Sequence, residues 1–209
     1  GDKTIGLDLL TRIISYKSFE PNFNVAVCFN SKTVMNDLSI KNKIKGHFPR
    51  YCVYLSKNVG TDITSSLLMY KDIRKTYNPQ HIIKLHTKSI QGDYEKLTSF
   101  LLEKTIERTL SYQSNISNCI GYPGFYLSLS SDVFNNKLKK DHEKNINEKK
   151  RFVGGTIFYC TTDTMDRVLK FVIANNFRSY YLNNMYENNT INKNFSPIHF
   201  LERMFGVIQ

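Results

Sequence analysis

The chain has 209 residues, of which 41% are hydrophobic and 13% aromatic, and its formal net charge is +11. These proportions are typical of one globular domain and exclude a chain that is disordered along its whole length. No apolar run approaches the roughly 20 residues that span a bilayer, and the N-terminus lacks the basic and then apolar pattern of a secretory signal. We therefore expect a single domain over 1–209, without a membrane span and located in the cytoplasm.

The positive charge suggests a polyanionic partner, but it does not identify one. Lys, Asn and Ile are spread along the whole chain, and no run of Arg interleaved with aromatic residues indicates a nucleic-acid groove. A small ligand that carries phosphate fits the same charge. A nucleic-acid partner is therefore not favoured, although a basic nucleic-acid-binding domain stays an alternative.

The first half of the chain alternates between short apolar runs and helical patterns. A polar lead-in over 1–22 precedes three predicted strands, which are Val25–Phe29, Tyr51–Leu55 and Ile82–Leu85. The segments between them carry apolar residues at helical spacing and end at Gly or Pro. Strand, helix and strand at this spacing predict an α/β fold with a mostly parallel sheet in which these three strands are adjacent and flanked by helices.

The second half continues with helices, strands and two polar stretches. A mobile charged loop is predicted over 135–150, because this stretch has almost no apolar residue to bury. The other predicted elements are a helix over Tyr94–Tyr112, strands over Phe125–Leu129 and Phe152–Cys160, a helix capped by Thr162 or Asp163, and a final helix over Pro197–Phe205 that Gly206 ends.

The cysteines do not predict a metal site. Cys28, Cys52, Cys119 and Cys160 lie far apart and form no C-x-x-C pair. We therefore assign no metal ligand from the sequence.

Polar clusters follow two of the predicted strands, where ligands of an open α/β sheet bind. After the second strand, Gly60 permits close backbone approach, and Asn58 and Asp62 offer polar groups to a ribose or a base. The alternative is a helix start capped by Thr61 or Asp62, which local chemistry alone favours. After the third strand, His86 and Lys88 point to the same side and together would suit a diphosphate.

A third cluster combines two distant segments. Gly154 and Gly155 lie inside a predicted strand, where paired glycines often mark the close approach of a ligand or another backbone. Near the C-terminus, His199 and Glu202 lie on the final predicted helix. Glu202 could act as a general base, or it could form an ordinary solvated pair with Arg203, and the residues alone favour the pair.

Taken in order, these clusters resemble the rhamnan-synthesis F family of glycosyltransferases. The matching strings cover most of the chain from Val25 onward, and they are N-V-G-T-D at 58–62, I-I-K-L-H-T-K-S at 82–89, F-V-G-G-T-I-F at 152–158 and I-H-F-L-E-R-M-F-G at 198–206. The composition and the H-F-L-E-R string also resemble glycosyltransferases encoded by giant DNA viruses. A viral source would place the protein in the host cytoplasm or the virion.

The resemblance implies a GT-A-like, Rossmann-type fold that transfers a sugar from a nucleotide-diphosphate sugar to a glycan or glycoconjugate acceptor in polysaccharide biosynthesis. It implies that Glu202 is the catalytic base of an inverting enzyme. Asn58, Gly60, Asp62, His86 and Lys88 would bind the donor. Gly154, Gly155 and His199 would lie on the acceptor side.

The resemblance also raises the question of a metal ion. Many GT-A enzymes hold a divalent metal with an Asp-x-Asp where this chain has His86-Thr87-Lys88. A lysine there would repel a metal, so metal-independent transfer is the preferred reading and no cofactor is certain. The family also usually carries a basic residue where this chain has Thr61. A non-catalytic descendant of the fold that binds a glycan or a nucleotide is the main alternative.

Overall fold

The computed structural model describes residues 3–29, 31–56, 61–87, 91–111, 117–129, 140, 142–176 and 197–209. The α-helices are Lys3–Tyr16 (α1), Lys32–Met35 (α2), Leu38–His47 (α3), Thr61–Tyr77 (α4), Gln91–Leu102 (α5), Ile106–Leu110 (α6), Thr162–Ala174 (α7) and Pro197–Val207 (α8). The strands are Val25–Phe29 (β1), Tyr51–Leu55 (β2), His81–Lys84 (β3), Cys119–Ile120 (β4), Tyr126–Ser128 (β5), Arg151–Val153 (β6) and Phe158–Thr161 (β7). The chain is therefore a mixed α/β protein, as the sequence predicts.

Strands β1 and β2 form a parallel pair, with Val25 opposite Tyr51 and Phe29 opposite Leu55. Helix α4 leaves the carboxyl end of β2 and packs against β1 on its way to β3. The three predicted strands of the first half and the helices between them are confirmed.

The pairing of β3 differs from the prediction. β3 and β4 each pair antiparallel with β7, in the order β3–β7–β4, and β5 pairs antiparallel with β6. Among the described strands only β1 and β2 are parallel, so a mostly parallel sheet is not shown. The predicted strand Phe152–Cys160 is in fact two strands, β6 and β7, because a tight turn at Gly155 and Thr156 interrupts it.

The predicted lead-in over 1–22 is wrong for its first part, because Lys3–Tyr16 is a helix. Leu10 and Tyr16 of α1 are buried, and α1 packs against α3 and α5. Its apolar residues recur every three or four positions, which buries one side of the helix although polar residues separate them.

Residues 142–150, which lie in the predicted mobile charged loop over 135–150, pack against the C-terminus. Residues 131–139 and 141 lie outside the described part of the chain. Ile146 is buried and forms a bridge with Ile208, and the Asn147 N–H donates to the Val207 carbonyl at 2.8 Å. One apolar side chain in a charged stretch is enough to dock it when the backbone also finds partners.

Helix α8 continues through Gly206 to Val207, two residues beyond the predicted end at Phe205. A Cβ at Gly206 would lie 2.4 Å from the Cα of Phe152. Gly206 therefore permits close packing of α8 on β6 and does not end the helix.

Both faces of β7 are covered by helices. Phe158 and Cys160 pack into the cluster formed with α4, α7 and α8, whereas Tyr159 packs on the other face with Leu97 and Leu101 of α5. A third cluster joins α1 and α3 to β1. No helix in the described part of the chain is long and apolar enough to cross a membrane.

Candidate functional site

A buried lysine connects the end of β3 to the start of α4. Lys84 is the last residue of β3, and its Nζ contacts the Oδ2 atom of Asp62 in the first turn of α4. The Lys84 side chain is 4% exposed and that of Asp62 25%. The same Nζ donates to the carbonyl oxygen of Thr156 at 2.8 Å. An ammonium that is so completely shielded from water needs these acceptors, because an unpaired buried charge is strongly disfavoured.

The turn between β6 and β7 is held in an unusual backbone conformation. Gly155 has φ 83° and Thr156 has φ 54°, so a β-branched residue occupies the left-handed region. Such a conformation costs about 1–3 kcal/mol and persists only when the surroundings enforce it. The Thr156 hydroxyl donates to Asp62 Oδ2 at 2.7 Å, and its carbonyl accepts from Lys84. Strain held by polar contacts is a feature of functional sites.

His86 contacts the same turn from the loop after β3. Its Nε2 lies 2.8 Å from the Gly155 carbonyl and 3.0 Å from the Thr156 hydroxyl oxygen, and its Nδ1 lies 3.0 Å from the Thr87 carbonyl. Because the Thr156 hydroxyl donates to Asp62, Nε2 must carry a hydrogen to bond this group. His86 Nε2 is also 4.0 Å from Asp62 Oδ2.

Glu202 reaches the turn from helix α8. Its Oε1 accepts the Gly155 N–H at 2.7 Å, and its Oε2 lies 4.0 Å from Nη1 of Arg203. The Glu202 side chain is 16% exposed. Its neighbours Phe200, Leu201, Met204 and Phe205 are buried, so they fix the helix and leave Glu202 at the margin of the apolar face.

The electrostatics of Asp62 follow from these neighbours. Burial is the largest single effect and would raise the pKa of its carboxyl group. The charges of Lys84 and His86 and the hydrogen bonds from Lys84 and Thr156 lower the pKa, and together they outweigh burial. The net result is a pKa well below the usual range, so Asp62 is ionised at any working pH.

These side chains do not fit a divalent metal ion. Within the described ranges, no group of three or more His, Cys, Asp or Glu side chains could hold one. Asp62 Oδ2 already contacts an ammonium, which a cation would have to displace. The arrangement instead presents the cation Lys84 and the N–H of His86 beside one carboxylate.

A cleft of about 440 Å³ lies between α4 and the carboxyl ends of β1 and β2. It is lined by Cys28, Tyr54, Leu55, Ser56, Ser65, Leu68, Met69, Lys71, Asp72 and Lys75. Ser65 lies one helical turn after Asp62, and its hydroxyl is 2.7 Å from that of Ser56. Another cleft, of about 460 Å³, includes Gln80 and Thr161 and therefore lies at the opposite end of β3.

The structure brings together four of the residues selected from the sequence: Asp62, His86, Gly155 and Glu202. Gly154 has a packing explanation, because a Cβ there would meet Leu127 Cδ1 at 3.1 Å. Asn58, Gly60 and Lys88 lie outside the described residues, as does the side chain of His199.

The sequence analysis missed two members of the cluster, Lys84 and Thr156. Lys84 is the one charged residue in the run Ile82–Leu85, and strand alternation places it on the same side as His86. A charge in an apolar strand was therefore an available signal. The positive φ of Thr156 has no signal in the sequence beyond the two glycines before it.

We compared the chain with protein-family models, with curated proteins and with solved structures, and none of them matches it.

Proposed function

We propose that this protein is a glycosyltransferase that moves a sugar from a nucleotide-diphosphate sugar to a glycan or glycoconjugate acceptor, with inversion and without a divalent metal. The observation that carries the proposal is the convergence of Asp62, His86 and Glu202 on the strained Gly155–Thr156 turn. These groups come from three separate parts of the chain. A hydrogen-bond donor for phosphate and a carboxylate base within one cluster are what such a transfer needs.

The donor would lie at the carboxyl ends of β1, β2 and β3. The cleft beside α4 has the size of a small-ligand site, with hydroxyl groups from Ser56 and Ser65 and apolar walls from Leu55 and Leu68. We assign the nucleoside to this cleft and the diphosphate to His86 and Lys88. The Asp62 side chain is 25% exposed, and we assign a donor hydroxyl to its carboxylate.

Glu202 would act as the base. Its carboxylate takes the proton of the acceptor hydroxyl while that oxygen forms a bond to the anomeric carbon. The bond from the anomeric carbon to the diphosphate oxygen breaks, and the nucleoside diphosphate leaves with the electron pair. His86 and Lys88 stabilise the charge that develops on it.

The proposal includes a GT-A-like sheet in the order β2–β1–β3–β7–β4. Two observations support it. Helix α4 packs against β1, as expected if it crosses from β2 to a strand beyond β1. Asp62 follows β2 and meets Lys84 at the end of β3, so the carboxyl ends of these strands lie at one edge. β3 and β4 are both antiparallel to β7, so only β7 would run against the others.

A second candidate is a non-catalytic descendant of the fold that binds a nucleotide. It is favoured by the contacts of Glu202, since Oε1 is bonded to the Gly155 N–H and Oε2 faces Arg203. A purely structural role of this carboxylate, which is to hold α8 against the turn, explains the same contacts. Both candidates bind a nucleotide, and only the enzyme transfers sugar.

A thermal-shift screen of nucleoside diphosphates and nucleotide sugars tests the proposal. A ligand at about 100 times its dissociation constant adds about 2.7 kcal/mol to the free energy of unfolding, which is a clear shift in Tm. We expect at least one nucleotide sugar to stabilise the protein, and His86→Ala to abolish that shift. His47→Ala, at the exposed end of α3, is the matched control and keeps it. A panel without any shift would overturn both candidates.

A further inference from the structure

The backbone of Gly155 contacts both His86 and Glu202. The Gly155 carbonyl lies 2.8 Å from His86 Nε2, and the Gly155 N–H donates to Glu202 Oε1 at 2.7 Å. His86 follows β3 and Glu202 lies on α8, so the turn between β6 and β7 links elements far apart in the chain. Any displacement of Gly155 therefore acts on both side chains.

We propose that the Gly155–Thr156 turn is a positioning device that couples His86 to Glu202, so that an anion bound by His86 releases Glu202 from Gly155. The inference rests on the proposed function, in which the anion is the donor diphosphate and Glu202 is the base. It implies that the donor must bind before the acceptor is deprotonated, because Glu202 is hydrogen-bonded to the Gly155 N–H until then.

The first step is competition for one hydrogen. The Nε2 hydrogen of His86 is shared between the Gly155 carbonyl at 2.8 Å and the Thr156 hydroxyl oxygen at 3.0 Å. Both acceptors are neutral. A phosphate oxygen is a charged acceptor and forms a hydrogen bond about twice as strong. An anion at His86 therefore takes this hydrogen and leaves the Gly155 carbonyl without its partner.

The second step is a change in the turn. Thr156 stays at φ 54° because contacts hold it from several sides: His86 and Asp62 at its hydroxyl and Lys84 at its carbonyl. A strained conformation that loses one of its restraints has a second conformation close in energy. Changes in φ and ψ of Gly155 then reorient the peptide group that precedes it, so that the Gly155 N–H turns away from Glu202 Oε1 and the carboxylate becomes available to the acceptor.

Two variants of Glu202 separate this coupling from simple charge repulsion. Glu202→Gln removes the charge but keeps an oxygen that accepts the Gly155 N–H, whereas Glu202→Ala removes both. We would measure the Kd of inorganic pyrophosphate for each by calorimetry. The coupling predicts that Glu202→Ala binds pyrophosphate about five- to tenfold more tightly than Glu202→Gln, because the turn is already released. Equal affinities would overturn the coupling while leaving the proposed function intact.

The role of Thr156 is tested in the same pair of variants. In a Thr156→Ser background the hydroxyl remains, and the ratio of the two Kd values stays at about five to ten. In a Thr156→Val background the hydroxyl is lost, and the ratio falls to about one. A merely structural Thr156 would change both Kd values together and leave their ratio unaltered in both backgrounds.

The coupling is also tested without any ligand, which matters if pyrophosphate does not bind. That outcome would contradict the proposed diphosphate site. Urea unfolding of His86→Ala, Glu202→Ala and the double variant then measures the coupling itself. Each single variant raises the unfolding equilibrium constant by some factor, and independent effects would multiply in the double variant. We expect the double variant to lie about fivefold below that product, because loss of one contact of Gly155, with His86 or with Glu202, already weakens the other contact. Effects that multiply to within twofold would refute the coupling.

Discussion

The ammonium of Lys84 and the carboxylate of Asp62 form an ion pair that connects the last residue of β3 to the first turn of α4. Lys84 is almost completely buried, and it also donates to the carbonyl of the strained residue Thr156. The pair therefore fixes the position of the turn on which His86 and Glu202 converge. The contribution of this pair to the free energy of unfolding can be measured with variants of either residue.

Lys84→Met should destabilise the protein strongly. The variant leaves the ionised Asp62 without its closest cation, and breaking a buried pair in this way costs about 3 kcal/mol or more. Urea unfolding at neutral pH measures the loss. Lys71→Met, which changes an exposed lysine of α4, the helix that carries Asp62, is the control and should stay within about 0.5 kcal/mol of the wild type. Similar losses in the two variants would show that the pair contributes nothing.

Acid should weaken the fold through Asp62. Its pKa is lowered in the folded protein, so the unfolded chain binds protons at a higher pH than the folded chain does. The stabilisation is thus complete above the unfolded pKa of about 3.9 and is lost as the pH falls below it. Asp62→Asn should be less stable than the wild type at pH 7, with a difference that narrows toward low pH. Parallel stability curves between pH 7 and pH 3 would contradict this.

The positive φ of Thr156 should reverse the usual order of stability of the glycine and alanine variants at this position. Thr156→Ala and Thr156→Gly both remove the hydroxyl, but only glycine accepts φ 54° without strain. We expect Thr156→Gly to be more stable than Thr156→Ala by about 1 kcal/mol, as measured by urea unfolding. At an ordinary position glycine would be the less stable of the two. That ordinary ranking here would mean that the turn carries no strain.

Lys88 is predicted from the sequence to meet the diphosphate. Lys88→Met should weaken the binding of a nucleoside diphosphate at least about tenfold, because the charge interaction is lost, and should leave binding of the corresponding nucleoside almost unchanged. Calorimetry with the two ligands measures both values. Equal losses would assign Lys88 to the fold and not to the diphosphate.

The sequence predicts the elements of this fold better than their arrangement. β1, β2 and α7 follow from apolar runs and from a regular helical stripe. The antiparallel pairing of β7 with β3 does not, because an apolar run indicates a buried strand but neither its neighbour nor its direction. The helix α1 was missed because polar residues separate its apolar positions.

The candidate site was predictable only where its residues follow a recognisable strand. Asp62 and His86 were found because they follow apolar strands, where ligands of α/β sheets bind. Thr156 was missed, since a positive φ in a β-branched residue is enforced by tertiary contacts and leaves no local pattern. Lys84 could have been found, because a charge within an apolar strand needs a partner of opposite sign.

Sugar transfer by Glu202→Gln tests whether Glu202 is the catalytic base. The variant keeps an acceptor for the Gly155 N–H, so the fold and donor affinity should stay nearly unchanged, while loss of the base should slow release of nucleoside diphosphate from the nucleotide sugar by about 100-fold or more. Steady-state release, measured beside the donor Kd, gives both quantities. We expect a lower kcat at an unaltered Kd. A variant that binds donor and turns it over at the wild-type rate would show that Glu202 is not the base.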